Sequence, residues 1–168
     1  MRLDGKVAIV TASTRGIGLA CTQRLAREGA TVYMAARNME RAENRAKELN
    51  DEGCNVKTVY NDATEKETYT SMVEEVFKNE GRIDILVNNF GTSNPQKDLD
   101  IKNTEYDEYI RTVDINLASV FMTSQAAIPH MAANGGGSII NISSIGGLRP
   151  DISQIAYGTS KAATNYLT

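Results

Sequence analysis

Five short apolar runs alternate with longer stretches of helical periodicity, and this alternation constrains the fold more than any other feature of the chain. Val7-Ala-Ile-Val10, Thr31-Val-Tyr-Met-Ala35, Val56-Lys-Thr-Val-Tyr60, Ile83-Asp-Ile-Leu-Val87 and Ser138-Ile-Ile-Asn-Ile142 have the length and residue types of buried strands. Between them, Ile17, Cys21 and Leu25 predict a helix closed by Gly29. Met39, Ala42, Ala46 and Leu49 predict a second closed by Gly53, and Tyr69, Met72, Val73, Val76 and Phe77 a third ending at Gly81. After a polar loop from Gly91 to about Asn103, Ile110, Val113, Leu117, Val120 and Phe121 predict a long fourth helix, broken by Gly135-Gly-Gly137. From about Ser153 the chain again reads as helix, with no stop signal. Alternating strands and helices build a parallel sheet covered on both faces. Right-handed crossovers then favour the α/β doubly wound arrangement. With no linker, repeat or low-complexity stretch, residues 1–168 read as a single domain.

Composition narrows the function classes. A hydrophobic content of 41% supports a substantial core, and a net charge of −3 without a basic block gives no nucleic-acid surface. The opening Met1-Arg-Leu-Asp-Gly-Lys-Val7 lacks the pattern of a signal peptide, and no apolar run is long enough to span a bilayer. The expectation is a soluble, cytoplasmic protein without a membrane partner. Cys21 and Cys54 belong to no spaced pattern, which suits a reducing compartment, and with one histidine a metal site is not expected. His130, near a helix end, reads as structural.

Between the first strand and the first helix lies Thr11-Ala-Ser-Thr-Arg-Gly-Ile-Gly18. Glycines here let the backbone approach a pyrophosphate, and the helix N-terminus supplies N–H donors and a positive dipole end. The alternative is a tight turn that binds nothing. Ala12 tolerates positive φ poorly, so ordinary backbone angles are expected at that position. At the end of the second strand, where a carboxylate would hold the ribose hydroxyls of NAD, the chain has Ala36 and then Arg37. A guanidinium pairs with a 2′-phosphate, and Arg15 is a second candidate, which favours NADP(H). A solvated surface charge is the alternative reading of Arg37.

Tyr157 and Lys161 stand four residues apart and share one face of a helix. A free phenol titrates at about pH 10, and a neighbouring ammonium group stabilises its anion. That pair can exchange a proton with an alcohol or alkoxide. Ser144 follows the fifth strand, where a hydroxyl can hydrogen-bond a substrate oxygen, and Asn116 lies on the long helix. Each has a plainer alternative: a chance Tyr-x-x-x-Lys, a turn cap at Ser144, a buried hydrogen-bonding residue at Asn116.

The glycine-rich turn resembles the Thr-Gly-x-x-x-Gly-x-Gly signature of the short-chain dehydrogenase/reductase family, with Ala12 for the first glycine. Asn88-Asn-Phe-Gly91 is similar to the family's Asn-Asn-Ala-Gly, and Tyr157-Gly-Thr-Ser-Lys161 with Ser144 and Asn116 matches its catalytic set. The resemblance implies a Rossmann-like fold and hydride exchange between NADP(H) and a secondary alcohol or ketone. It implies catalytic roles for Asn116, Ser144, Tyr157 and Lys161, with Asn116 holding a water that links the lysine to solvent. It implies cofactor contacts from Thr11, Ser13, Thr14, Arg15, Gly16, Ile17, Gly18, Arg37, Asn38, Asp62, Ala63, Asn89, Gly91, Tyr157 and Lys161. Asp62 resembles the residue that contacts adenine, a loop-capping aspartate being the alternative. An ordinary strand-ending turn is the alternative for Asn88–Gly91.

Within the family, Gly81-Arg-Ile-Asp-Ile-Leu-Val-Asn-Asn-Phe-Gly91, Ala127-Ile-Pro-His-Met131 and Pro150-Asp-Ile-Ser-Gln-Ile-Ala-Tyr157 resemble bacterial NADP-using hydroxysteroid dehydrogenases. That resemblance implies a bile acid, oxidised at its 7α-hydroxyl, as the small-molecule substrate. A 3-oxoacyl carrier-protein reductase would use the same residues. The resemblance implies a homotetramer or homodimer for the full-length protein, and family members continue beyond the position of Thr168. It also implies an exposed apolar edge at the fifth strand and a 168-residue chain that is incomplete at its C-terminus, a fragment without activity of its own being the alternative reading.

Overall fold

The computed structural model describes residues 1–150 and 152–168; Asp151, within the Pro150–Tyr157 stretch, lies outside the described residues. The elements run β1 (Val7–Thr11), α1 (Gly16–Arg27), β2 (Thr31–Ala36), α2 (Met39–Asp51), β3 (Asn55–Tyr60), α3 (Glu67–Glu80), β4 (Ile85–Asn88), α4 (Tyr106–Ala133), β5 (Ser138–Asn141) and α5 (Ile155–Tyr166), with a 3-10 turn at Ile145–Gly147. They form two compact units: Met1–Asn89 with Met122–Ile140, and Phe90–Phe121 with Asn141–Thr168.

The first unit is built on a parallel sheet of order β3-β2-β1-β4-β5. Val7 stands opposite Thr31 and Ala8 opposite Ile85, so β1 is flanked on both sides. Every residue of β1 is buried, as a central parallel strand requires, and its side chains alternate between two faces. Val7 and Ile9 join Tyr33, Ala35, Val59 and Leu86 on one face. There they pack against Met72, Val73 and Val76 of α3 and Ala127 and Met131 of α4. Alternation sends Ala8, Val10, Val32 and Met34 to the other face, the side on which α1 and α2 contact the strands. The strand order reverses between β1 and β4, and a ligand crevice forms beyond the carboxyl ends of strands at such a point.

Glycine stops fall as read: Gly29, Gly53 and Gly81 follow α1, α2 and α3. The fourth strand differs, starting at Ile85 rather than Ile83. Asp84 explains the shift, because its N–H donates to the Val7 carbonyl at 2.9 Å while its carboxylate accepts from the Val7 N–H at 3.0 Å. A side chain therefore does there what a ladder bond would do. The long helix reaches from Tyr106 to Ala133, well beyond its apolar stripe, with Pro129 inside it. β5 is an edge strand of alternating exposure, with Ile139 against the core and Ile140 44% exposed. His130 stacks on Phe77 with ring centroids 3.9 Å apart and bonds Glu74 at 2.9 Å.

The second unit carries α5 on the 3-10 turn at Ile145–Gly147, and glycine makes the close packing possible. A Cβ on Gly147 would come within 2.6 Å of the Lys161 carbonyl carbon, and one on Gly158 within 3.1 Å of the Gly146 oxygen. α5 ends at Tyr166, with the Leu167 N–H bonded to the Ala163 carbonyl. No helix among the described residues is long and apolar enough to cross a membrane.

Candidate cofactor and active site

The glycine-rich turn corrects one sequence expectation. Ala12 adopts φ +50°, the left-handed region, rather than ordinary angles. Its neighbourhood enforces this: Asn89 Nδ2 donates to the carbonyls of both Thr11 (3.1 Å) and Ala12 (3.2 Å), and the Asn89 N–H donates to Thr11 Oγ1 at 2.9 Å. A turn tied this firmly to the end of β4 keeps the glycine conformation without the glycine.

The same turn forms a cradle. Gly16 also has positive φ, and a Cβ there would meet nothing within 4 Å, so the space above it is open. A Cβ on Gly18 would lie 2.6 Å from the Ala12 carbonyl oxygen and from Asn89 Nδ2, so only glycine fits. The first turn of α1 holds no acidic residue, and Arg15 provides no side-chain cap. Its amides and positive dipole end therefore stay available to an anion. Ser13 Oγ, fully buried in this loop, has no hydrogen-bond partner, which suits a polar ligand. Thr14 is half-buried, while Arg15 and Ile17 are exposed beside it. These residues fit a phosphate-bearing group at the end of β1.

Beyond β2, the Arg37 side chain is 75% exposed, with Nε 4.0 Å from Asp62 Oδ2. A carboxylate from the end of β3 therefore does lie beside Arg37, although none sits at the end of β2. Asp62 Oδ1 accepts from the Thr64 N–H and hydroxyl, both at 2.9 Å, so Asp62 caps its own loop. Ala63 next to it accepts from the Tyr69 hydroxyl. Asn38 caps α2, accepting from the Arg41 N–H at 2.8 Å.

The second unit holds the candidate residues Asn116, Ser144, Tyr157 and Lys161. Lys161 is buried at 3% exposure, and its Nζ donates to the Ile142 carbonyl at 2.8 Å and lies 5.6 Å from the centre of the Tyr157 ring. Burial pushes its ammonium group down from the ordinary lysine value. Gly91 leaves room for it, since a Cβ there would be 2.9 Å from Lys161 Nζ and 3.8 Å from the Tyr157 ring. Ser144 caps the 3-10 turn, accepting from the Gly146 N–H at 3.2 Å. That bond leaves its own O–H free to donate. A cavity of about 600 Å³ is lined by Ser144, Tyr157, Ile145, Leu148 and Arg149 among others. Asn116 is buried. Its Oδ1 accepts from the Thr92 N–H, and its Nδ2 donates to the Thr92 carbonyl and to Ser160 Oγ, all at 2.9 Å. Asn116 thereby joins the loop after Gly91 to the helix of Tyr157 and Lys161.

Sequence reasoning missed the supports. Ser160 and Ser143, whose hydroxyl donates to the Lys161 carbonyl, carry no motif. The pair Gly146-Gly147 was the one available signal of close backbone approach. No cluster of metal-ligating side chains occurs among the described residues.

The chain belongs to the short chain dehydrogenase family, whose model matches residues 6–168. It is 54% identical over 167 residues to a 7α-hydroxysteroid dehydrogenase of Clostridium sardiniense, covering 99% of this chain and 64% of that protein. Identity to a protein of the same name from Paraclostridium sordellii is 48%, covering 99% and 62%. A 3-oxoacyl-[acyl-carrier-protein] reductase of Thermotoga maritima is 34% identical, covering 100% and 67%. Among solved structures, a gluconate 5-dehydrogenase from Burkholderia cenocepacia, in complex with NADP and tartrate, matches with a TM-score of 0.91. It is 35% identical, over 99% of this chain and 64% of its own. The chain thus spans somewhat less than two thirds of the first two relatives.

Proposed function

We propose that the protein is an NADP(H)-dependent oxidoreductase acting on a secondary alcohol or ketone, with the 7α-hydroxyl of a bile acid as its substrate. The carrying observation is the buried Lys161 one helical turn from Tyr157, with Ser144 and Tyr157 lining one cavity. Residues 1–168 act in this reading as one dinucleotide-binding catalytic domain of a longer protein that assembles as a homotetramer or homodimer.

Thr11–Gly18, Asn89 and Gly91 would hold the cofactor, Asp62 and Ala63 its adenine end, and Arg37 with Arg15 and Asn38 its 2′-phosphate. The open space at Gly16 and the partnerless Ser13 hydroxyl support that fit. The chemistry the cofactor supplies when bound is hydride exchange with the substrate carbon. Tyr157 takes the proton from the alcohol during oxidation and returns it during reduction. Lys161 stabilises the phenolate by its charge and orients the ribose of the cofactor. Ser144 donates a hydrogen bond from its hydroxyl to the substrate oxygen as charge develops there, and keeps its proton. Asn116 braces the helix and would hold a water that links Lys161 to solvent.

The two hydroxysteroid relatives support the bile acid. The third relative favours a second reading, reduction of a 3-oxoacyl thioester. Absorbance at the reduced-nicotinamide band decides between them. NADPH formed from a 7α-hydroxy bile acid supports the first. Silence there, with NADPH consumed by a 3-oxoacyl thioester, overturns it in favour of the second.

A further inference from the structure

α5 begins without a cap of its own. Gln154 precedes it in the left-handed region, with φ +59° and no side-chain cap. The first amides of a helix have no partner inside it, so another group must take them. The loop before α4 does this. The Ile155 N–H donates to the Leu99 carbonyl at 3.3 Å and the Gln154 N–H to the Asp98 carbonyl at 3.1 Å. The Ala156 N–H donates to Asp98 Oδ1 at 2.9 Å and the Tyr157 N–H to Asp98 Oδ2 at 3.0 Å.

Asp98 is fully buried at 0% exposure, and Ser93 Oγ also donates to its Oδ2 at 3.0 Å. Its own N–H is bonded to the Asn94 carbonyl at 2.7 Å. Both carboxylate oxygens are thus engaged by hydrogen-bond donors, two of them the helix amides that a local cap would reach. A negative group at a helix N-terminus is favourable, and bonds from an ionised acceptor are the stronger kind. One of those bonds ends on the backbone nitrogen of Tyr157 itself.

We propose that Asp98 is a positioning residue for the reaction. It is a cap supplied from a remote loop, and it fixes the first turn of α5 and with it the Tyr157 hydroxyl relative to Lys161 and Ser144. This rests on the role proposed for Tyr157. A misplacement of about 1 Å costs roughly a hundredfold in rate, so loosening this turn acts on turnover rather than on cofactor binding.

The test uses the full-length protein with Asp98→Ala and Asp98→Asn. NADP(H) binding sites are titrated, kcat is measured per binding site, and exchange of the Ala156 and Tyr157 amides is followed. In Asp98→Ala we expect kcat per site to fall roughly ten- to a hundredfold, with cofactor Kd within about threefold and both amides exchanging faster. Asp98→Asn, which keeps one acceptor oxygen, falls in between. A merely structural role would reduce the number of cofactor-binding sites and leave kcat per site unchanged; that result overturns the proposal. Should Asp98→Ala not fold, Asp98→Asn with wild-type kcat per site overturns it equally. Absence of turnover in the wild type defeats the catalytic reading instead. Amide exchange then still decides whether Asp98 holds the turn, and unchanged protection overturns the proposal.

Discussion

Replacing Ala12 by glycine should stabilise the protein, and the sign of the effect is diagnostic. Ala12 sits at φ +50°. A non-glycine residue there costs about 1–2 kcal/mol in steric conflict between Cβ and the following carbonyl. Glycine removes that conflict but costs about 0.5–1 kcal/mol in extra chain entropy. The net gain for Ala12→Gly is therefore about 0.5–1 kcal/mol, or roughly 1–4 °C in Tm for a chain of this size. Urea unfolding of the cofactor-free protein measures it: the midpoint should rise at constant m-value. Asn89 already holds the carbonyls of Thr11 and Ala12, so the loop keeps its shape and NADP(H) affinity should stay within about threefold. With ordinary angles at residue 12, glycine would bring only the entropy cost. A variant destabilised by about 0.5–1 kcal/mol would thus refute the reasoning.

Three further perturbations probe other parts. Asp84 is held below the usual carboxylate range by hydrogen bonds from Arg82, the Val7 N–H and Lys6. Asp84→Asn should cost about 1–3 kcal/mol at neutral pH, discounted towards the lower figure because Lys6 and Arg82 are partly exposed. Because the folded pKa is depressed, this contribution is complete above about pH 4 and fades as pH falls towards the folded value. A difference in Tm from wild type that stays constant down to strongly acid pH would contradict it. Lys161 is a buried cation with a lowered pKa, so its burial cost persists while it stays charged and fades at alkaline pH. Lys161→Met should leave stability at pH 7 unchanged or raised by up to about 1 kcal/mol while turnover is lost; clear destabilisation in a thermal melt would count against this. Arg37→Ala should lower the preference for NADP over NAD by about tenfold or more in kcat/KM, and an unchanged ratio would remove Arg37 from the phosphate site.

Most of the fold was legible because local pattern and tertiary packing agree. The β1 run and the apolar stripes of α2 and α3 have the period of the structures they form, and glycines mark the stops. In α1 the helix forms as read, but its buried face is Gly18, Thr22 and Ala26, one position on from Ile17, Cys21 and Leu25, and Ile17 is exposed. Gly16 and Gly18 were readable for the same reason: open space and close approach both demand a missing Cβ. Ala12 was misread because residue propensity was weighed without Asn89, which lies 77 residues away in sequence and imposes the conformation. The start of β4 was misplaced because the Asp84 side chain replaces a ladder bond. Asp98 left no trace in sequence, since the amides it accepts from are 58 and 59 residues downstream and no spacing rule connects them.

The central claim is that Tyr157 exchanges the proton, and its phenol oxygen can be removed with little change in shape. Steady-state turnover of a 7α-hydroxy bile acid with NADP by the full-length Tyr157→Phe protein, alongside NADP binding to the same variant, tests this directly. The account predicts turnover reduced by about 10²–10⁴-fold with cofactor affinity preserved. Near-wild-type turnover in Tyr157→Phe would contradict it.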